Sequence, residues 1–101
     1  MNIIRQNIFV YSKSGRLALV AECIYESNQI QRFRVSGKNR SIVLQTNYPL
    51  LKAQNSKKKI DWKLIEGLMN DVQLLQNIIN ELERILKDNG ISRLDYIKLK
   101  K

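Results

Sequence analysis

Apolar residues recur at every second position from residue 3 to residue 47 and at every third or fourth position from residue 70 onward, so the chain changes period once. A period of two sends successive side chains to opposite faces of a strand, whereas a period near 3.6 gathers them on one side of a helix. Ile8 and Val10 alternate with Phe9 and Tyr11, and Ser12-Lys13-Ser14-Gly15 supplies a turn. A second strand is predicted from about Arg16 to Glu26. Leu17, Leu19, Ala21, Cys23 and Tyr25 make one of its faces, and Arg16, Ala18, Val20, Glu22, Ile24 and Glu26 the other. Ser27-Asn28 turns the chain again.

The third strand, about Gln29 to Ser36, points Phe33 and Val35 one way and Arg32 and Arg34 the other. Gly37-Lys38-Asn39 closes the next hairpin. A fourth strand from about Arg40 to Asn47 sets Ile42, Leu44 and Thr46 against Ser41, Val43 and Gln45, and Tyr48-Pro49 ends it because proline has no amide proton for the ladder. Residues 52–59 have no apolar period and read as a mobile basic loop. Ile60-Asp61-Trp62-Lys63-Leu64 alternates as a fifth strand ending near Glu66-Gly67. A helix starting at Asp61 competes, since Asp61, Leu64, Ile65, Leu68 and Met69 also fit a helical stripe, but Gly67 would interrupt it.

A helix is expected from about Asp71 to Asp88. Asn70 is its expected N-cap, with Gln73 completing a capping-box variant and Met69 stapling to Leu74. Val72, Leu75, Ile79, Leu82 and Leu86, joined by Ile78 and Ile85, form a stripe broad enough to lie across a sheet. Glu83 and Lys87 are spaced for an ion pair. Gly90 after Asn89 is the expected left-handed cap, with Ile91 reaching back to Leu86. The predicted fold is thus α+β: an antiparallel meander of four to five strands over about residues 3–66, then one long amphipathic C-terminal helix packed on the sheet. A basic tail, 91–101, follows, in which Leu94, Tyr96, Ile97 and Leu99 are apolar enough to dock.

The length of 101 residues, with 44% apolar and 27% charged, suits one globular domain spanning 1–101. A single cysteine, Cys23, reads as a small core residue rather than a disulfide partner. No apolar run is long enough to span a bilayer, and the N-terminal residues lack the pattern of a secretory signal, so a cytoplasmic protein is expected.

Enzymatic chemistry is not indicated. There is no histidine, so Ser-His-Asp and Cys-His arrangements and the commonest metal ligand are missing. The four glycines stand singly at 15, 37, 67 and 90 and make no phosphate-cradling loop. Glu22 and Glu26 share a predicted strand face and could in principle hold a cation, but solvated carboxylates opposing basic neighbours are the simpler reading. No cofactor, metal or small-molecule substrate is expected.

Charge supplies the pointer to a partner. The formal net charge is +9, and no acidic residue lies between Glu26 and Asp61, a stretch that holds Arg32, Arg34, Lys38, Arg40, Lys52, Lys57, Lys58 and Lys59. The 11 Lys, 13 Ile and 10 Asn fit an AT-rich coding bias, which accounts for abundant lysine but not for the missing acids. Such a field attracts a polyanion, most plausibly single-stranded or duplex nucleic acid. Arginine forks on a strand face grip phosphates, a lysine loop follows a backbone, and aromatic rings stack on unpaired bases. Tyr11, Tyr25, Phe33, Tyr48 and Trp62 are available for stacking. Most read as core, leaving Tyr48 beside the basic loop as the exposed candidate and Trp62 as the second.

The order of elements, a meander followed by one amphipathic helix in a small basic chain, resembles the layout of single-strand-binding transcriptional coactivators and plant Whirly proteins. The resemblance covers about two thirds of the chain, concerns layout alone and transfers no residue. It implies nucleic-acid binding and helix-mediated assembly. The rival expectation is a protein interaction module without nucleic acid. Strand two is apolar on both faces while one helix exists to cover them, so a homodimer would bury the remainder.

Overall fold

The computed structural model describes residues 5–88. In chain order it contains β1 (Arg5–Ser12), β2 (Gly15–Glu26), β3 (Gln31–Ser36), β4 (Ser41–Thr46), α1 (Tyr48–Ala53), β5 (Trp62–Glu66) and α2 (Val72–Asp88). The strands form one antiparallel sheet in sequential order, β1-β2-β3-β4-β5, and α2 returns over one of its faces. The architecture is therefore the predicted α+β meander, with residues 62–66 a strand. The Gly90 cap and the 91–101 tail lie outside the described residues.

Strand pairing fixes the two faces, because residues directly opposite one another project to the same side. The helix-covered face carries Ile8 and Val10, then Ala21 beside Val35 and Ile42, then Cys23 beside Phe33 and Leu44. Ile78, Leu82, Ile85 and Leu86 of α2 close over these residues to complete the core. Each such aliphatic side chain taken from water contributes about 1.5–3 kcal/mol toward offsetting the chain entropy lost on folding. Val72 stands outside the stripe at 76% exposure, so the buried face begins a turn later.

A bulge in β2 corrects the predicted alternation. Cys23 pairs with Phe33 and Tyr25 with Arg32, which leaves Ile24 as an extra residue. One inserted residue exchanges the faces beyond it. Tyr25 therefore joins Arg32 on the side away from α2, and Glu26 turns to the helix side, opposite Gln31. Glu22 and Glu26 consequently do not share a face. Among the described residues, no cluster of three or more Cys, Asp or Glu side chains is arranged to hold a metal ion.

The segment after β4 also differs from its sequence reading. Tyr48-Pro49 ends the strand but starts a helix, since proline in a first helical turn loses no hydrogen bond and has the required φ. Lys52 lies on α1, and only the residues after Ala53 form loop. Asn55, at φ +51°, closes α1: its N–H bonds the Lys52 carbonyl (3.1 Å) while Ser56 N–H bonds the Leu51 carbonyl (2.9 Å). The loop's far end is tied down by Asn47, whose Oδ1 accepts from Asp61 N–H at 2.9 Å.

Gly67 carries the chain from β5 toward α2 at φ +90°, where a Cβ would come within 2.7 Å of the Ser41 carbonyl oxygen. Both conformation and space demand glycine there. The N-cap of α2 is Asp71 rather than Asn70: its Oδ1 accepts from Leu74 N–H (3.0 Å). An ionised carboxylate at this point also interacts favourably with the helix dipole. Gln73, freed from capping, donates to Asn77 at 2.9 Å. The ion pairs of α2 join Arg84 to Glu81 and to Asp88 rather than Glu83 to Lys87, because Glu83 is engaged elsewhere.

Candidate nucleic-acid interface

Among the described residues no helix packs over the sheet face away from α2, where the register arranges the side chains in rows that are exposed toward β1 and β2 and include the buried Val43. At one end Tyr11 lies opposite Arg16, and Phe9 opposite Ala18. Asn7, Val20, Ser36 and Ser41 follow, then Arg5, Glu22, Arg34, Val43 and Glu66, and finally Tyr25, Arg32, Gln45 and Lys63. Arg5, Arg16, Arg32, Arg34 and Lys63 thus face Glu22 and Glu66 on one surface, leaving it net positive.

Three aromatic rings on this face are solvent-exposed: Tyr11 at 70%, Phe9 at 49% and Tyr25 at 45%. Two of them carry an arginine. The Arg16 guanidinium carbon stands 4.1 Å from the centre of the Phe9 ring, and that of Arg32 stands 5.2 Å from the Tyr25 ring. Arg32 is oriented further by its Nε–H, which donates to Gln45 Oε1 at 2.8 Å across the β3–β4 ladder. Glu22 in the middle of the face is held between two arginines, with Arg5 Nε at 3.2 Å and Arg34 Nη1 at 3.7 Å. Its charge is offset locally while both guanidinium groups keep donors for another acceptor.

The eight cations of the acid-free stretch separate into three groups in space. Arg32 and Arg34 occupy the open face. Lys38 and Arg40 are exposed at the β3–β4 turn, near the start of α2, where Arg40 borders a recess with Asp71 and Leu74. Lys52, Lys57, Lys58 and Lys59 lie at the opposite end of β4, a strand about 17–20 Å long, where with Lys87 they rim a concavity of about 440 Å³ floored by Tyr48 and Leu51.

Tyr48 and Trp62, the two aromatic candidates read from the sequence, are partly buried and hydrogen-bonded to α2. The Tyr48 hydroxyl donates to the Leu86 carbonyl at 3.4 Å, while Trp62 packs against Phe33 and its Nε1–H donates to Glu83 Oε2 at 2.7 Å. The sequence reading did not place Phe9, Arg5, Arg16 or Lys63 among the candidates, and Tyr11, counted there among the rings available for stacking, was not singled out as exposed. The signal was present for the two rings, because they alternate with Ile8 and Val10 and cannot share the core face with them. For Tyr25 the alternation pointed to the wrong face, since nothing in the residue string marks the bulge.

No protein-family model matches the chain, and neither the curated proteins nor the solved structures contain a significant match. The likeness to single-strand-binding coactivators and Whirly proteins thus rests on element order alone. Among the described residues no helix is long and apolar enough to cross a membrane.

Proposed function

We propose that the chain is a non-enzymatic nucleic-acid-binding protein whose principal contact surface is the open face of the sheet. The observation that carries this reading is the interleaving of Phe9, Tyr11 and Tyr25, each at least 45% exposed, with Arg5, Arg16, Arg32 and Arg34 on that face. Exposed aromatic side chains cost solvation unless a partner covers them, and arginines among them favour an anionic partner with flat groups. Nucleic acid meets both requirements. The lysines around α1 and the following loop extend the positive field beyond the sheet without fixing geometry. Fluorescence anisotropy with labelled oligonucleotides at two salt concentrations tests the reading: affinity falls steeply with salt because phosphate counterions are released. Absence of binding at low salt would exclude it.

A homodimeric interaction module is the second reading, and a different surface favours it. Leu64 (38% exposed), Ile65 (42%), Leu68 (80%) and Val72 (76%) follow one another from β5 into α2. Beside them runs an apolar groove bounded by Leu17, Leu19, Met69 and Ile78. A second copy seated there would cover this corner and leave the cationic face free.

A further inference from the structure

Resting on the open-face reading, we infer that the ligand is an unpaired strand of about five nucleotides, and that Arg16 and Arg32 leave their aromatic partners to take its phosphates as bases stack in their place. Tyr11 and Phe9 stand two residues apart on one face of β1, about 6.8 Å along the strand. That is twice the roughly 3.4 Å rise per nucleotide of a strand within duplex DNA. Two successive bases can each occupy a ring only after leaving their mutual stack, which a duplex does not allow. Tyr25 lies farther along the same face. Phe9 is opposite Ala18, and allowing for the bulge at Ile24, Tyr25 comes six ladder positions later, about 20 Å away. This distance is three more intervals of the Tyr11–Phe9 length. Bases one, two and five of the strand therefore meet Tyr11, Phe9 and Tyr25.

The intervening rows lack aromatic residues but hold Arg5 and Arg34 on either side of Glu22, placed for the phosphates of nucleotides three and four. Tyr11, at 70% exposure, is open to a base at once. Phe9 and Tyr25 are capped by guanidinium groups at 4.1 and 5.2 Å. A cation over a ring is a weaker partner than a stacked base, and a guanidinium set free beside a backbone gains a bidentate phosphate contact. Each capped ring is thus a covered stacking site whose cover becomes a phosphate ligand.

The test is anisotropy with fluorescein-labelled oligothymidylates of increasing length, a duplex, and an abasic strand with the same number of phosphates. Affinity should rise with length to about five nucleotides and then flatten. The single strand should bind at least about tenfold more tightly than the duplex or the abasic strand. Phe9→Ala, Tyr11→Ala and Tyr25→Ala should each weaken the single strand about five- to a hundredfold, leave the abasic strand unaffected and leave the salt slope unchanged. Arg16→Gln should flatten the salt slope by about 0.7. All these residues are exposed, and circular dichroism checks each fold. Should one variant misfold, the other variants and the abasic comparison on the unaltered protein decide the matter. Equal affinity for duplex, abasic and single strands, or three alanine variants that bind like the parent, overturns the inference while nucleic-acid binding stands. Absence of binding to every probe overturns both.

Discussion

Glu22 lies directly opposite Arg34 across the β2–β3 ladder, with Oε1 3.7 Å from Nη1, and its second oxygen meets Arg5 at 3.2 Å. The carboxylate in the middle of the face away from α2 therefore engages two of the cations that a phosphate would use. Glu22→Gln should raise oligonucleotide affinity and steepen its salt dependence. Folding stability should change by less than about 1 kcal/mol, because ion pairs with exposed arginines contribute little. Anisotropy at two salt concentrations and urea unfolding measure the two effects separately, and lower affinity in the variant would show that Glu22 orients the arginines rather than competing for them.

Position should matter more than charge count. Changing Arg32 and Arg34 together to Gln removes two positive charges, as does changing Lys57 and Lys58 to Gln. The first pair sits on a rigid ladder in register with Tyr25 and Glu22, whereas the second lies in the exposed loop after α1. The arginine pair should cost about tenfold or more in affinity at low salt, and the lysine pair clearly less. Equal losses would mean that the field acts without a defined site.

Trp62 and Tyr48 should prove structural. Trp62→Phe removes the donor to Glu83 Oε2 and should lower stability by about 1 kcal/mol, the usual value of a partly buried hydrogen bond. Tyr48→Phe removes the weaker bond to the Leu86 carbonyl and should cost less. Neither variant should change oligonucleotide affinity by more than about twofold. A tenfold loss with unchanged unfolding curves would restore either ring to the binding surface.

Gly15 and Gly67, both at positive φ, are not equivalent. Gly67→Ala meets both an unfavourable φ of +90° and a Cβ 2.7 Å from the Ser41 carbonyl, so destabilisation of about 2 kcal/mol or more is expected. Gly15→Ala meets only the backbone penalty, at φ +118° in a turn with open space around it, and should cost less. Urea titration ranks them, and the reverse order would contradict the close approach of the β5–α2 connection to β4.

Light scattering at micromolar concentration should give a dimer mass if the apolar corner at β5 and α2 is an interface. Leu68→Lys should then move the mass toward monomer with no change in circular dichroism, because Leu68 is 80% exposed, while Val20→Lys on the open face should leave the dimer intact. The opposite pattern would place the contact on the open face, and a clean monomer mass would exclude the homodimer. Ile78→Lys cannot probe a helix seam, since Ile78 is 1% exposed against the sheet and a buried ammonium there unfolds the chain.

The residue pattern by itself determined the meander, the strand character of 62–66, the span of α2 and most of the core. These features follow from short-range physics: alternation, turn chemistry and a helical stripe act within a few residues and agree with one another. Arg32 and Arg34 could be placed on one face because no bulge intervenes between them. Only tertiary structure decided the rest. The slip at Ile24 exchanges Tyr25 and Glu26 because pairing with β3 sets the register, and Tyr48-Pro49 opens α1 where Leu51 is buried and Tyr48 meets α2. The cations of the acid-free stretch likewise become three separate groups because β4 carries the chain from one end of the sheet to the other. The exposed rings of Phe9, Tyr11 and Tyr25 became a candidate surface only when the ladder aligned β1, β2 and β3, since neighbours across strands are far apart in sequence.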